Sequence, residues 1–215
     1  MAEQTDTSPS SRSAGRTRKS RSYHHGDLRQ ALIDATRQLV IDRGAENFSL
    51  ADACRQAGVS TAAPYKHFRD KDEILGEVIA QGFDMMEARQ LRVAEPFEKG
   101  SLERIVAIGQ DYVNFAVDEP ALFRLMFGQN PRISSNEEVA GEGKKCFTFV
   151  IEEVAAHVMR HHRPLNPLMT AVQLWTIVHG AACLRIEGNY AKVAPDVDVD
   201  AMIAQAGRRI LGAAE

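Results

Sequence analysis

The hydrogen-bond donors that could meet a polyanion are crowded into one short stretch of this chain. Within SLADACRQAGVSTAAPYKHFRDK, which runs from Ser49 to Lys71, fall Thr61, Tyr65, Lys66, His67 and Lys71. Hydroxyl, imidazole and ammonium groups all donate to phosphate oxygens, and Thr61 and Lys66 can also hydrogen-bond base edges. Ala62 and Ala63 beside them offer only methyl contacts, of the kind a thymine methyl accepts. The rest of the chain offers no catalytic constellation: there is no G-x-S-x-G elbow, phosphate-binding glycine loop or H-E-x-x-H. Glu153, His157 and His161 do stand at i, i+4 and i+8, which is metal-ligand spacing for adjacent pairs. The outer two are about 12 Å apart on a straight helix, too far to share one ion easily. No catalytic residue, metal or cofactor is therefore expected.

The elements around the donor-rich stretch are built to hold it rigidly. Leu50, Ala53, Cys54 and Ala57 recur at helical spacing, and Ser49 with Asp52 forms an S-x-x-D cap. That helix must end at Gly58, which tolerates the positive φ of a sharp turn; Val59 plugs the angle between helices. A second helix is expected from near Thr61, capped by Ser60 or Thr61, with Pro64 in its first turn. Asp70 and Glu73 cap a third. Two short helices joined this way fit the DNA major groove.

The run AGVSTAAPYKHFRDKDEIL resembles the tetracycline-repressor (TetR) family of bacterial transcription regulators. The matching features are a small residue followed by Gly-Val-Ser at the turn, Tyr-x-x-Phe in the recognition helix, and Lys71 as the basic residue opening the next helix. The resemblance implies that Thr61, Ala62, Ala63 and Lys66 face the major groove, and that Tyr65, His67 and Lys71 hold the phosphate backbone. Ser49 is counted with these DNA-binding residues. It also implies a homodimer on a pseudo-palindromic double-stranded operator and a small-molecule effector.

Charge distribution agrees with a local polyanion site. The net charge is −3, yet residues 1–72 hold 12 Lys and Arg against 9 Asp and Glu, while the remainder holds 14 against 20. Arg12, Arg16, Arg18, Lys19 and Arg21 lie in a Ser-, Thr- and Gly-rich context without an acidic neighbour. Residues 1–22 are thus expected to form a disordered basic arm that tracks phosphates or enters a minor groove, or else a solubilising tail. Cys54, Cys146 and Cys183 are scattered without a C-x-x-C pair, and no apolar signal segment opens the chain, so the cytoplasm is the natural compartment.

The fold class expected is all-α. A first helix from Tyr23–Asp27 to Arg43 carries an apolar stripe of Leu28, Leu32, Ala35, Thr36, Leu39 and Val40. With the two helices after it, plugged by Phe48 and Phe68, it makes a helix-turn-helix DNA-binding domain over 23–70. The family resemblance implies that residues 71–215 form a helical effector-binding and dimerisation domain. Its helices are expected from Lys71 to about Arg92, at Leu102–Val117 and Pro120–Phe127, from about Glu137 to His161, at Pro167–Glu187, and from about Asp200 to Leu211.

Pro167–Glu187 is apolar most of the way round. Leu168, Val172, Trp175, His179, Ala182 and Ile186 form one stripe, while Ala171, Leu174, Val178 and Ala181 cover another. Gln173, His179 and Arg185 interrupt the continuous window a membrane span needs, so burial against its own domain and a partner subunit is expected instead. Trp175, His179 and Gly180 resemble the Trp-His-Gly signature of one TetR C-terminal subclass.

The aromatic and Met residues of this domain suggest an apolar effector pocket. Phe115, Phe123, Met126, Phe127, Phe147 and Trp175 are expected to line it, with Asn114 and His179 orienting the ligand. Filling it would lower DNA affinity through the helix that starts at Lys71. The alternatives are a constitutive DNA-binding protein without an effector, or an enzyme-like all-α C-terminal domain.

Overall fold

The computed structural model describes residues 25–62, 64–128 and 137–212, and all regular structure among them is helical. The basic arm and Ala63 lie outside the described residues, as do the side chains of His24 and His25. α1 (His25–Arg43) and α2 (Leu50–Ala57) come first, followed by a single 3-10 turn at Pro64–Lys66. α3 (Lys71–Ala94), α4 (Leu102–Asp118), α5 (Pro120–Phe127), α6 (Glu137–His161), α7 (Pro167–Ile186), α8 (Asn189–Val193) and α9 (Val199–Leu211) complete the described chain.

Most boundaries follow from local chemistry. Ser49 and Asp52 make a reciprocal capping box at the start of α2, and Gly58 closes that helix at φ 69°, a left-handed conformation only glycine adopts without strain. Asp70, Ser101, Asn166 and Asp198 each accept from a backbone N–H three residues on, at the starts of α3, α4, α7 and α9. Each such cap is worth about 1 kcal/mol.

The recognition segment departs from expectation. Thr61 and Ala62 form a turn, and only Pro64–Lys66 winds. Pro64 cannot donate, and its carbonyl accepts from both His67 N and Phe68 N at 2.8 Å, which closes the winding before Asp70 starts α3. Pro64 and Phe68 are buried, so the turn is anchored from below while Tyr65 and Lys66 stand outward. α8 was not foreseen either; five residues are too few to show a period.

One apolar core runs through the molecule. Leu32, Phe48 and Phe68 continue through Ile74, Val78 and Met86 into Tyr112, Phe123 and Val178. α3 is the element common to both ends. Its first half meets α1, where Arg29 pairs with Glu77 at 2.6 Å and Gln81 donates to Gln30 at 3.2 Å. Its second half meets α4, α5 and α6. Gly82 permits a close approach to α5, since a Cβ there would sit 2.7 Å from Met126 Sδ. Arg37 of α1 adds a second link, reaching Glu119 beside α5 at 2.7 Å.

A smaller cluster of Ile105, Val154, Ala171 and Leu211 closes the far end. Beside it the α3–α4 connection is strapped to α6. Glu153 Oε2 accepts from Gly100 N at 3.1 Å, and Arg104 Nε lies 2.9 Å from the same oxygen. His157 Nδ1 donates to Gly100 O at 2.9 Å. Glu153 and His157 are therefore spent on the backbone and on Arg104, and among the described residues no group of three or more His, Cys, Asp or Glu is placed to hold a metal.

α7 is long and apolar enough by composition to cross a membrane, but it packs against α4, α6, α8 and α9. The face it buries is Thr170, Ala171, Val178, Ala181 and Ala182. Met169, Val172, Gly180 and Leu184 are exposed. Of the second apolar stripe, Ala171, Val178 and Ala181 lie inside their own domain and Leu174 is half-buried, so this is the face that packs inward.

Candidate nucleic-acid interface and apolar cavity

The outward face of the recognition turn is a row of donors on a fixed base. Thr61 and Ala62 are exposed, Lys66 is exposed, and Tyr65 is 69% exposed. His67 is half-buried, its ring 6.4 Å from that of Phe68. Lys71 is held inward: its Nζ donates to Phe48 O at 2.8 Å and lies 4.3 Å from the centre of the Phe48 ring. One of its three donors is thereby used, and the ammonium is fixed at the start of α3. Ser49 is likewise committed to its cap, donating from Oγ to Asp52 Oδ2 at 2.5 Å.

These bonds from the Ser49 hydroxyl and backbone, with Arg55 beside them, hold the Asp52 carboxyl down at about 2. The acid is therefore ionised and neutralises Arg55 within its own helix. Arg69 is different. Its side chain is 86% exposed, with Glu73 beside it at 3.2 Å, and it extends the cationic row of Lys66. Sequence reading passed over Arg69, although its place in the run Phe-Arg-Asp-Lys was the available signal.

Beyond the middle of α3, a cavity of about 410 Å³ opens between α3, α4, α6, α7 and α9. Phe83, Met86 and Gln90 supply its α3 wall, and Ile105, Ile108 and Tyr112 its α4 wall. Cys146 and Phe147 face it from α6, Val172, Trp175 and Val178 from α7, and Ile203 from α9. Of the residues expected around an effector, Phe127, Phe147 and Trp175 line this space. Phe115, Phe123 and Met126 do not. Phe115 and Phe123 are fully buried core, the first beneath the Arg89 guanidinium at 5.7 Å, and Met126 fills the notch at Gly82. Asn114 is half-buried and outside the lining, and His179 stands one residue behind it.

His179 reaches the cavity wall through Tyr112, whose hydroxyl is 2.8 Å from His179 Nδ1 and accepts from Trp175 Nε1 at 3.2 Å. Burial raises the Tyr112 pKa well above its usual value and lowers that of His179, so both are neutral near pH 7. Burial also pushes the Cys146 thiol up to about 12; it stays protonated and donates weakly to Phe83 O at 3.5 Å. The cavity wall is largely apolar, with Lys144 exposed at its rim, and the space can hold an apolar molecule.

A capped helix, a glycine turn and a donor-bearing winding, set on an all-helical body with an apolar cavity, define a helix-turn-helix transcription regulator. The chain belongs to the TetR family. Residues 32–78 match the model described as "Bacterial regulatory proteins, tetR family", and residues 105–208 match "Tetracyclin repressor-like, C-terminal domain". Neither description names a Trp-His-Gly subclass, so that likeness rests on Trp175, His179 and Gly180 alone.

Among similar proteins, an uncharacterized HTH-type transcriptional regulator of Haemophilus influenzae is 23% identical over 137 residues, 63% of this chain and 65% of the relative. The chain thus spans just under two thirds of that relative's length. The nucleoid occlusion factor SlmA of Aliivibrio fischeri is 27% identical over 171 residues, 76% of this chain and 84% of the relative. A solved protein of unknown function from Rhodococcus sp. RHA1 superposes with a TM-score of 0.76 at 28% identity, covering 90% of this chain and 98% of the other. A TetR/AcrR-family regulator from Thermobifida fusca shares the fold, with a TM-score of 0.62 at 19% identity, covering 88% and 99%. The chain is accordingly a DNA-binding transcriptional regulator.

Proposed function

We propose that this regulator is a cytoplasmic repressor that binds a pseudo-palindromic operator as a homodimer and is released when a small apolar molecule fills the cavity. The observation that carries this reading is the course of α3. It begins at Lys71 beside the recognition turn and, three turns later, walls the cavity with Phe83 and Met86. A ligand wedged against those residues acts on the helix that sets the spacing of two recognition turns in a dimer. It shifts binding only by its preference for the non-DNA conformation, and a tenfold loss of operator affinity needs about 1.4 kcal/mol.

In this reading Thr61, Ala62, Ala63 and Lys66 contact base edges, and Tyr65, His67, Arg69 and Lys71 contact phosphates. Ser49 fixes the helix that supports them, residues 23–70 form the DNA-binding domain and residues 71–215 the effector and dimer domain. The dimer buries the exposed stripe of α7, and the chain works by binding rather than turnover. The experiment is to select the operator from random DNA, screen apolar compounds for thermal stabilisation, and measure operator affinity with each stabilising compound at saturation. Unchanged affinity with every bound compound refutes release. It would instead favour a constitutive DNA-binding role without an effector.

A further inference from the structure

The cavity wall is hydrocarbon, aromatic ring and sulfur except at a few positions. Tyr112 is committed to Trp175 and His179, Cys146 points its thiol at Phe83 O, and Lys144 is exposed at the rim. Gln90 is different. It is 3% exposed, it lies one turn beyond Met86 on the same stripe of α3, and its Oε1 has no hydrogen-bond partner among the described residues. A buried amide oxygen with nothing to accept from destabilises a fold, and such groups are rare. Leu or Met at this position would fill the same wall without that cost. The flanking Arg89 is locked to Asp111 at 2.8 Å and Asp118 at 2.7 Å on α4, so the α3 backbone holds the amide where it is.

We propose that Gln90 is the polar anchor of the ligand site, and that the ligand is an uncharged, mostly apolar molecule carrying one carboxamide or hydroxyl group. Its N–H or O–H donates to Gln90 Oε1, while its hydrocarbon part lies along Phe83, Met86, Ile108 and Trp175. An amide presents one acceptor and two donors whichever way it is turned, so a carboxamide ligand can bond it twice. An anion is selected against: no cation is buried in the wall, and a carboxylate would shed its hydration against hydrocarbon. The assignment rests on the effector reading of the cavity and adds the chemistry of the effector.

The test uses the full chain and four probes of equal length: octanamide, 1-octanol, octanoate and octane. Affinity is read by calorimetry and thermal shift on the parent, on Gln90→Leu and on the near-isosteric Gln90→Met. In the parent, octanamide and octanol should bind about tenfold more tightly than octane, the worth of one well-made hydrogen bond in an apolar site. Both variants should lose that preference and bind octane within about twofold of the parent. Equal binding of octane and octanamide by the parent overturns the proposal, as does failure of all four probes to bind. So does tightest binding of octanoate with the preference abolished by Lys144→Ala, which would make the rim cation the selector. Operator affinity in the same mixtures separates the two readings. Octanamide that binds through Gln90 without altering DNA affinity removes the effector role and leaves the anchor standing.

Discussion

The Tyr112 hydroxyl oxygen stands 2.8 Å from His179 Nδ1, and Trp175 Nε1 reaches the same oxygen at 3.2 Å. An indole N–H can only donate, so the phenol accepts from Trp175. Its own proton then goes to Nδ1, which places the imidazole hydrogen on Nε2 and keeps the ring neutral. The arrangement ties α4 to α7 across the cavity wall, with the Trp175 N–H and the Tyr112 O–H both matched.

Acid should loosen this tie. Burial holds the folded His179 pKa below the unfolded value of about 6.5, so the unfolded chain binds more protons as pH falls. The contribution is intact above about pH 6.5 and is lost progressively below it. Urea midpoints of the parent should fall more steeply from pH 7 to pH 5 than those of His179→Phe, and equal slopes would exclude this role for His179.

Lys71→Ala should weaken all DNA sequences alike and reduce the slope of log affinity against log salt by about 1, because a phosphate partner is removed. Lys66→Ala should change the preferred sequence instead. Selection from random DNA that returns the parental motif for Lys66→Ala would remove that side chain from base reading.

Substitutions on opposite faces of α7 should separate dimerisation from folding. Met169 is 59% exposed and Thr176 shares its face, so Met169→Glu with Thr176→Glu should yield a folded monomer in sedimentation. Ala181 is 2% exposed, and Ala181→Glu should abolish the cooperative melt instead. A stable dimer carrying both exposed charges would place the interface elsewhere.

Arg104→Met leaves Glu153 charged and buried without its cation and should cost about 3–5 kcal/mol in urea unfolding. Adding Glu153→Leu should restore part of that loss, because the apolar pair has no stranded charge. A double variant no more stable than the single one would show that the Gly100 N–H bond to Glu153, rather than the ion pair, fixes this corner.

Local features were legible in the sequence and long-range ones were not. Ser49, Gly58, Asp70, Pro120, Asn166 and Pro167 mark helix ends through bonds or steric limits that reach only a few residues, so their meaning survives without tertiary context. The recognition turn was placed correctly but read as a longer helix, because Pro64 can either start a helix or close a winding. The cavity was harder. Aromatic content pointed to Phe115 and Phe123, which pack solid, whereas the walls come from Met86, Gln90 and Ile108, residues that read as ordinary stripe positions until five helices are brought together. The face of α7 that turns inward was undecidable from a helix apolar nearly all round; Ala171, Ala181 and Ala182 go inward because small side chains let it approach its neighbours closely.

The double membership of α3 bears on how such regulators can be recombined. A DNA-reading head transplanted with a seam at Asp70 would leave behind Ile74, Leu75 and Val78, the side chains that close its own core. A seam near Gly82 would carry those residues with the head and leave Phe83, Met86 and Gln90 with the body that holds the cavity. The helix would then be spliced in phase within one turn, so that each parent keeps its own wall and only the pitch between them is inherited from the chimera.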